Sequence, residues 1–437
     1  MDTDEILGKM IGAGAEDAVV EVTKSLSRQV RFARNKISIV KSWQSETADL
    51  FMAKEKKVIG STVSDLSRID QAISELGGMM VRMAPNKDYG GIAQGPFTYV
   101  DVPKTYDPAI AELDEELVEM VQDAIDAAVR SGAERTAGVL YTTTIEESLA
   151  TSNDVVAKDR GTWVELSQRA FTEKDASGHA TCSARTLGDF DPLSVGERAG
   201  EVSGRCRRPT EVGAGRYDII FDPLAIGALL SDTMGFASAF AVESGFSFLA
   251  GKMGKKVASP LVTLVDDGQM VGGFGSRKFD AEGVPTQRTP IVEQGVLKTY
   301  LHNTSTATRH KTHTTGNAGL VSPHPWSGVV LPGDSKKEEL FSDVTHGVYV
   351  TNVWYTRYQN YYTGDFSTIP RDGAFLIEHG ELREPVKNIR ISDNLQRMFE
   401  RIRAMSQERQ WIHWWEVDVP ILSPYVLVDD VQITRAR

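Results

Sequence analysis

The chain has 437 residues, with 48 Lys plus Arg against 60 Asp plus Glu, a formal charge of −12. Its 41% apolar and 25% charged fractions are those of a globular chain long enough to bury a large core. Two cysteines, Cys182 and Cys206, exclude a disulfide-dense scaffold and fit a reducing, cytoplasmic setting; the acidic balance argues against a broad electrostatic footprint on nucleic acid.

Residues 4–11 read as a short helix, and Asp2, Asp4 and Glu5 are not the basic start of a signal peptide. Strands follow from Ala18. Val30 and Phe32, then Ile37 and Ile39, alternate with polar residues about a turn at Arg34-Asn35-Lys36. Residues 49–53 and 57–63 are further strands. Leu66, Ile69, Ile73, Leu76 and Met80 take helical spacing, with Ser64 or Asp65 available as N-cap. Residues 83–105, rich in Gly, Pro, Asn and Tyr, form a loop. Ile110, Leu113, Leu117, Val121, Ile125 and Ala128 predict one amphipathic helix starting at Pro108. Strands return at 138–145 and 163–171, then a helix at 191–205. This is an α+β pattern, helices on one face of an antiparallel sheet.

A linker at 207–215 divides the chain into an N-terminal α+β domain (1–208) and a C-terminal domain (209–437). After a strand at 217–221, residues 223–251 read as a helical region rich in Gly, Ala and Ser. Asp232 and Glu243 interrupt it, which speaks against a membrane span. From Lys255 onward short strands alternate with Gly and Pro turns, and one helix is expected at 391–405. The domain therefore reads as β-rich, antiparallel and barrel-like.

Four of the eight histidines fall together: His302, His310, His313 and His324. A metal site built on His302, His310 and His313 competes here with a solvated loop; no acid lies inside the cluster. Cys206 sits beside Arg205, Arg207 and Arg208, which would favour thiolate, but no histidine is near it in sequence, and a free thiol in a linker is the favoured reading. Trp354, Tyr355, Tyr358 and Tyr361 fit either one wall of a peptide-binding cavity or the packing of the β-domain. Gly272-Gly273-Phe274-Gly275 matches no phosphate-binding pattern and reads as a turn.

The most specific segment is G-K-M-G-K-K-V-A-S-P-L-V-T-L-V-D-D-G at 251–268, followed by F-D-A-E-G-V-P-T-Q-R-T-P-I-V-E-Q-G-V-L-K-T-Y-L at 279–301. T-G-N-A at 315–318, T-G-D-F-S at 363–367 and F-L-I-E-H-G-E-L-R-E-P-V at 375–386 come after it in order. Together they resemble the TldD/PmbA (TldD/TldE) family over nearly the whole chain. The resemblance implies a two-domain metalloprotease fold whose active members cleave unfolded or flexible peptides. Those members carry H-E-x-x-x-H on a helix upstream of the G-x-x-G-x-x-V-A-S block, and a C-terminal cysteine completes the metal site. Here Leu230, Ser231 and Gly235 stand at the motif positions, and Ser423 is the nearest counterpart of the cysteine. No histidine lies between His179 and His302, and no cysteine follows Cys206. The resemblance is thus to the metal-less TldE/PmbA branch, whose family is also associated with modulation of DNA gyrase. It implies a chain with no cofactor of its own. Such a chain would pair with a TldD-type subunit bearing the metal, expected as zinc in that partner, or with a second copy of itself, around a peptide. Neither membrane nor nucleic acid enters this expectation.

Overall fold

The computed structural model describes residues 2–435; Met1 and residues 436–437, the outer limits of the two expected domains, lie outside it. The N-terminal half contains α1 (Thr3–Gly12), β1 (Asp17–Ala33), β2 (Lys36–Lys54), β3 (Lys57–Val63), α2 (Ile69–Arg82), α3 (Pro108–Glu112), α4 (Glu116–Arg130), β4 (Arg135–Thr151), β5 (Val156–Glu173), β6 (Ala176–Ala184) and α5 (Pro192–Arg205). Its six strands form one wholly antiparallel sheet in the order β3-β2-β1-β4-β5-β6.

Side-chain parity organises this half. In a strand, successive residues face opposite sides. Even-numbered residues such as Val20, Leu50, Leu140, Ala150, Val164 and Leu166 pack under the helices. Odd-numbered Val19, Phe51, Leu149 and Ala157 point the other way, onto Phe279 of the C-terminal half. Helices thus cover one face of the sheet and the second domain covers part of the other, while the middle of β2 stays exposed.

Two-residue turns join β1 to β2 and β2 to β3. Arg34 and Asn35 take φ of 55° and 61°, and Glu55 and Lys56 take 50° and 62°. This is the left-handed backbone that matches strand twist in tight hairpins. The second turn carries no Gly or Asn, so sequence offered no sign of it. Residues 49–53, read as a separate strand, are the end of the 19-residue β2, whose exposed middle breaks the apolar alternation. The single helix expected from Pro108 is two. Leu113 adopts extended backbone (φ −56°, ψ 138°) yet stays buried, so the apolar stripe runs across the break.

The C-terminal half contains β7 (Thr210–Glu211), β8 (Gly215–Phe221), α6 (Pro223–Phe236), α7 (Ala239–Glu243), β9 (Leu264–Asp267), β10 (Arg288–Glu293), β11 (Val296–Leu297), α8 (Thr304–His310), β12 (Gly328–Val330), α9 (Lys337–Ser342), β13 (His346–Val350), β14 (Val353–Asn360), β15 (Asp365–Pro370), β16 (Ala374–Glu378), β17 (Glu381–Lys387), β18 (Ile389–Asn394), α10 (Leu395–Glu400), β19 (Ile402–Trp414) and β20 (Val417–Arg435). One 14-stranded sheet runs through it, with the long β20 pairing β8, β12, β18 and β19. The pairing is mostly antiparallel; β8/β13, β12/β20 and β7/β17 are parallel. α6 is buried at every position except the half-buried Asp232 and Gly235, and its apolar residues join the main core of this half, as expected of a helix hydrophobic nearly all round. The overall class is the α+β expected.

Two sequence expectations change here. Helix 391–405 shrinks to α10, because Ile391 belongs to β18, and Ile402 and Met405 belong to β19. The histidine segment is not a loop throughout. Asn303 caps α8 by a reciprocal bond with Thr306, and Lys311 ends it at φ 54°. Among the described residues, no helix is long and apolar enough to cross a membrane.

Candidate functional site

A cleft runs between the odd face of the N-terminal sheet and residues 274–326. Three adjoining cavities of about 360, 250 and 340 Å³ compose it. The first and second share Val19, Ala281, Gly319 and Leu320; the second and third share Arg277, His324 and Trp326. Its sheet wall is built from odd-numbered positions: Val19 and Glu21, Asp49 and Phe51, Ile145 and Glu147, Asp159 and Trp163. The first cavity reaches the edge strand β3 at Val58, Ile59 and Gly60.

Arg277 stands at the centre. Its guanidinium reaches Glu147 at 3.2 Å and Glu21 at 3.4 Å, and lies 4.4 Å from the Trp326 ring centre. One cation thus faces two carboxylates. Burial pushes the Glu21 carboxyl up to about 7 against the pull of Arg277, with Glu147 adding to the rise.

The segments that carried the family resemblance build the opposite wall. Asp280 is fully buried and accepts three backbone amides: Glu282 and Val284 at 2.9 Å on Oδ1, and Ala318 at 2.8 Å on Oδ2. It therefore ties the D-A-E-G turn to the T-G-N-A turn. Asp266, from the V-D-D-G run, accepts the amides of Trp326 (2.9 Å) and Ser327 (2.8 Å), and the Asn317 side chain bonds to its second oxygen. Glu282 lines the first cavity and accepts from the Thr304 hydroxyl and amide. Burial first, and Asp280 next, push its carboxyl up to about 8. Gly275 is required by close approach: a Cβ there would stand 1.9 Å from the Trp326 carbonyl oxygen.

The motif positions lie on α6, outside this cleft. Leu230 is buried in the apolar core. The Ser231 hydroxyl is buried and accepts the Val419 amide at 3.0 Å. Gly235 has no side chain, and a Cβ built there meets nothing within 4 Å. An apolar group, an occupied hydroxyl and a glycine offer no imidazole or carboxylate, so these positions do not fit a catalytic metal ion. Ser423 is not brought beside them. It lies four residues along β20 from Val419, pairs with Gln410 across β19, and its buried hydroxyl donates to the Pro424 carbonyl at 3.3 Å.

The aromatic run divides. Tyr358 donates to Asp232 at 2.9 Å, meets Phe236 edge-on at 5.0 Å, and stacks on Tyr361 at 5.3 Å, so two of its members flank the C-terminal part of α6. Burial pushes the Asp232 carboxyl up to about 6. Trp354 is instead core: it packs on Trp414 at 5.1 Å and donates to Asp372 at 2.8 Å. Tyr355 is exposed. None of the four lines the cleft.

The histidine cluster does not assemble as a relocated metal site. His310 Nε2 meets Glu243 at 2.9 Å, beside the Arg309–Glu243 pair. His302 is buried with Nδ1 at 3.1 Å from the Thr306 hydroxyl, and burial lowers it to about 4. Among the described residues no three His, Cys, Asp or Glu side chains stand in a metal-holding arrangement. Cys206 is a free thiol, as the favoured sequence reading has it, but it stands at a helix end and not in a linker. It ends α5 in a buried position, where burial outweighs Arg205 and pushes the thiol up to about 12.

Sequence reasoning missed the centre of the cleft. Asp280, Glu282 and Asn317 sat inside the quoted motifs, and that was the available signal. Glu21, Glu147 and Arg277 carry no local pattern; only tertiary folding joins them.

The profile of the PmbA/TldA metallopeptidase C-terminal domain matches residues 214–435, and that of the family's central domain matches residues 108–206. A metalloprotease of Methanothermobacter thermautotrophicus is 30% identical over 313 residues, 66% of each chain. The PmbA homologue of Haemophilus influenzae is 28% identical over 222 residues, covering 50% of this chain and 47% of its own. The matched stretch spans 44–66% of the length of the first curated relatives. Among solved structures, TldE from Thermococcus kodakarensis superposes with a TM-score of 0.89 at 20% identity, covering 99% of both chains. A protein described as a modulator of a DNA gyrase from Thermotoga maritima gives 0.87 at 23%, again covering 99% of both.

Proposed function

The chain belongs to the PmbA/TldD family of metallopeptidases, and from that premise we propose that it is a peptide-holding, TldE/PmbA-like subunit that carries no catalytic metal of its own. The observation that carries this reading is the chemistry at residues 230, 231 and 235. A buried leucine, a serine hydroxyl engaged by a backbone amide, and a glycine stand where metal ligands and a general base are needed. The reaction then belongs to a metal-bearing TldD-type partner, with zinc as the expected ion, and the shared compartment is the cytoplasm.

The cleft supports the peptide-holding part. It is long, reaches an edge strand, and mixes apolar groups with charged ones such as Glu21, Glu147, Arg277 and Glu282, which suits an extended chain bound through main-chain hydrogen bonds.

The test uses the purified chain and a family member with an intact H-E-x-x-x-H motif from the same source. Metal content is measured, and cleavage of a reduced, alkylated polypeptide is followed for each chain alone and mixed. The expected result is no stoichiometric metal and no cleavage by this chain alone, and faster cleavage in the mixture than by the partner alone. Chelator-sensitive cleavage by the isolated, metal-loaded chain would overturn the proposal. A homodimer that binds the polypeptide but never activates the partner would favour a stand-alone peptide-binding role instead.

A further inference from the structure

A second cavity, of about 320 Å³, lies away from the cleft, along the outer edge of β6. Its walls come from both halves of the chain: Thr181 and Cys182 of β6 and Ser194 and Arg198 of α5 on one side, Leu224 of α6 and Tyr425 of β20 on the other. Nothing derived above uses it.

The acceptors here are already committed. Asp222 Oδ1 receives the Leu224 amide at 3.2 Å, and Oδ2 receives the Arg198 guanidinium at 3.0 Å and the Tyr349 hydroxyl at 2.6 Å. The Thr181 carbonyl receives the Gln410 side chain at 2.8 Å. The donors are not. Arg198 spends only Nη2 on Asp222 and Tyr349. Tyr425 accepts from Lys337 at 3.1 Å, which leaves its own proton to donate. Burial keeps the Cys182 thiol protonated. Among the described residues, no acceptor takes up Arg198 Nε and Nη1 or the Tyr425 proton.

Arg198 and Asp222 are the charged residues lining the cavity; Lys337, outside the lining, is balanced by Glu338 and Glu408 as well as by Asp222. The volume falls in the small-molecule range.

We propose that this cavity binds a small organic carboxylate, its oxygens taking hydrogen bonds from Arg198 and Tyr425 while its short carbon chain lies against Leu224. Binding bridges the two halves of the chain, so occupancy stabilises their docking by mass action.

The experiment is thermal unfolding and calorimetric titration of the full chain with acetate, butanoate and succinate at matched ionic strength. Butanamide serves as the uncharged control and inorganic phosphate as the other anion. At least one carboxylate is expected to raise Tm saturably and to release or absorb heat with a single-site isotherm, while butanamide does neither. Arg198→Gln should weaken that binding about ten- to hundredfold, the loss of a charge-assisted pair. If that variant fails to fold, Tyr425→Phe, which keeps the ring, should weaken it about tenfold. Ser194→Trp at the exposed mouth should block it. No saturable response to any carboxylate overturns the proposal. So does an equal response to butanamide, a response to phosphate alone, or carboxylate binding unchanged in both Tyr425→Phe and Ser194→Trp.

Discussion

Replacing Asp280 by alanine tests whether the family motifs are a structural frame for the cleft. The carboxylate is fully buried and three backbone amides converge on it within 2.9 Å. Alanine would leave three N–H groups without an acceptor in a site closed to water. At about 1–3 kcal/mol per unsatisfied buried group, the loss is about 3–9 kcal/mol, a large part of the roughly 5–15 kcal/mol that holds a domain folded. Asparagine keeps the oxygen that serves Glu282 and Val284 but turns an amide NH₂ toward the Ala318 N–H. It should cost one of the three bonds, about 1–3 kcal/mol. Urea unfolding followed by tryptophan fluorescence reads the difference, since Trp326 sits over Arg277 in the same wall. The expected order of midpoints is native, then Asp280→Asn, then Asp280→Ala. An alanine variant within about 1 kcal/mol of the native chain would refute the reasoning, because the two turns would then be held by something other than this carboxylate.

Two further outcomes follow from the same geometry. The Glu282 carboxyl is raised from 4.5 to about 8 in the folded chain, so the folded state holds its proton more tightly than the unfolded one. Its contribution is fully present below about 4.5 and is lost as pH rises through about 8, with a slope of up to about 1.4 kcal/mol per pH unit. Urea midpoints of Glu282→Gln measured from pH 5 to 8 should lack that component of the decline, and an identical pH profile in the two proteins would contradict it. The second outcome contrasts two helical glycines. A Cβ at Gly196 would stand 2.1 Å from the Ala124 carbonyl oxygen, whereas one at Gly235 meets nothing within 4 Å. Gly196→Ala should lower Tm through an overpacking cost of about 1–3 kcal/mol, and Gly235→Ala should raise it through about 0.5–1 kcal/mol of lost backbone freedom in the unfolded chain. Equal Tm values for the two variants would show that helix packing does not discriminate them.

Local pattern was enough for much of this protein. Val30 and Phe32, or Leu117 and Val121, show on which face a strand or helix is buried, because one side chain in two or three to four must meet the core. The joint absence of His, Glu and Cys at 230, 231, 235 and 423 was likewise visible in the residues alone. Tertiary structure decided what pattern cannot carry. Strand parity sets Glu21 and Glu147 on the same face, but only the docking of residues 274–326 supplies the Arg277 between them. Trp354 and Tyr358 look alike in sequence; one ended in the core on Asp372 and the other against α6 on Asp232. The Cys206 thiol had arginine neighbours in sequence, and burial overrode them. The physical reason is common to all three. Periodicity reports which side of an element is dry, but charge compensation, cavities and pKa depend on which residues, hundreds of positions away, close over that side.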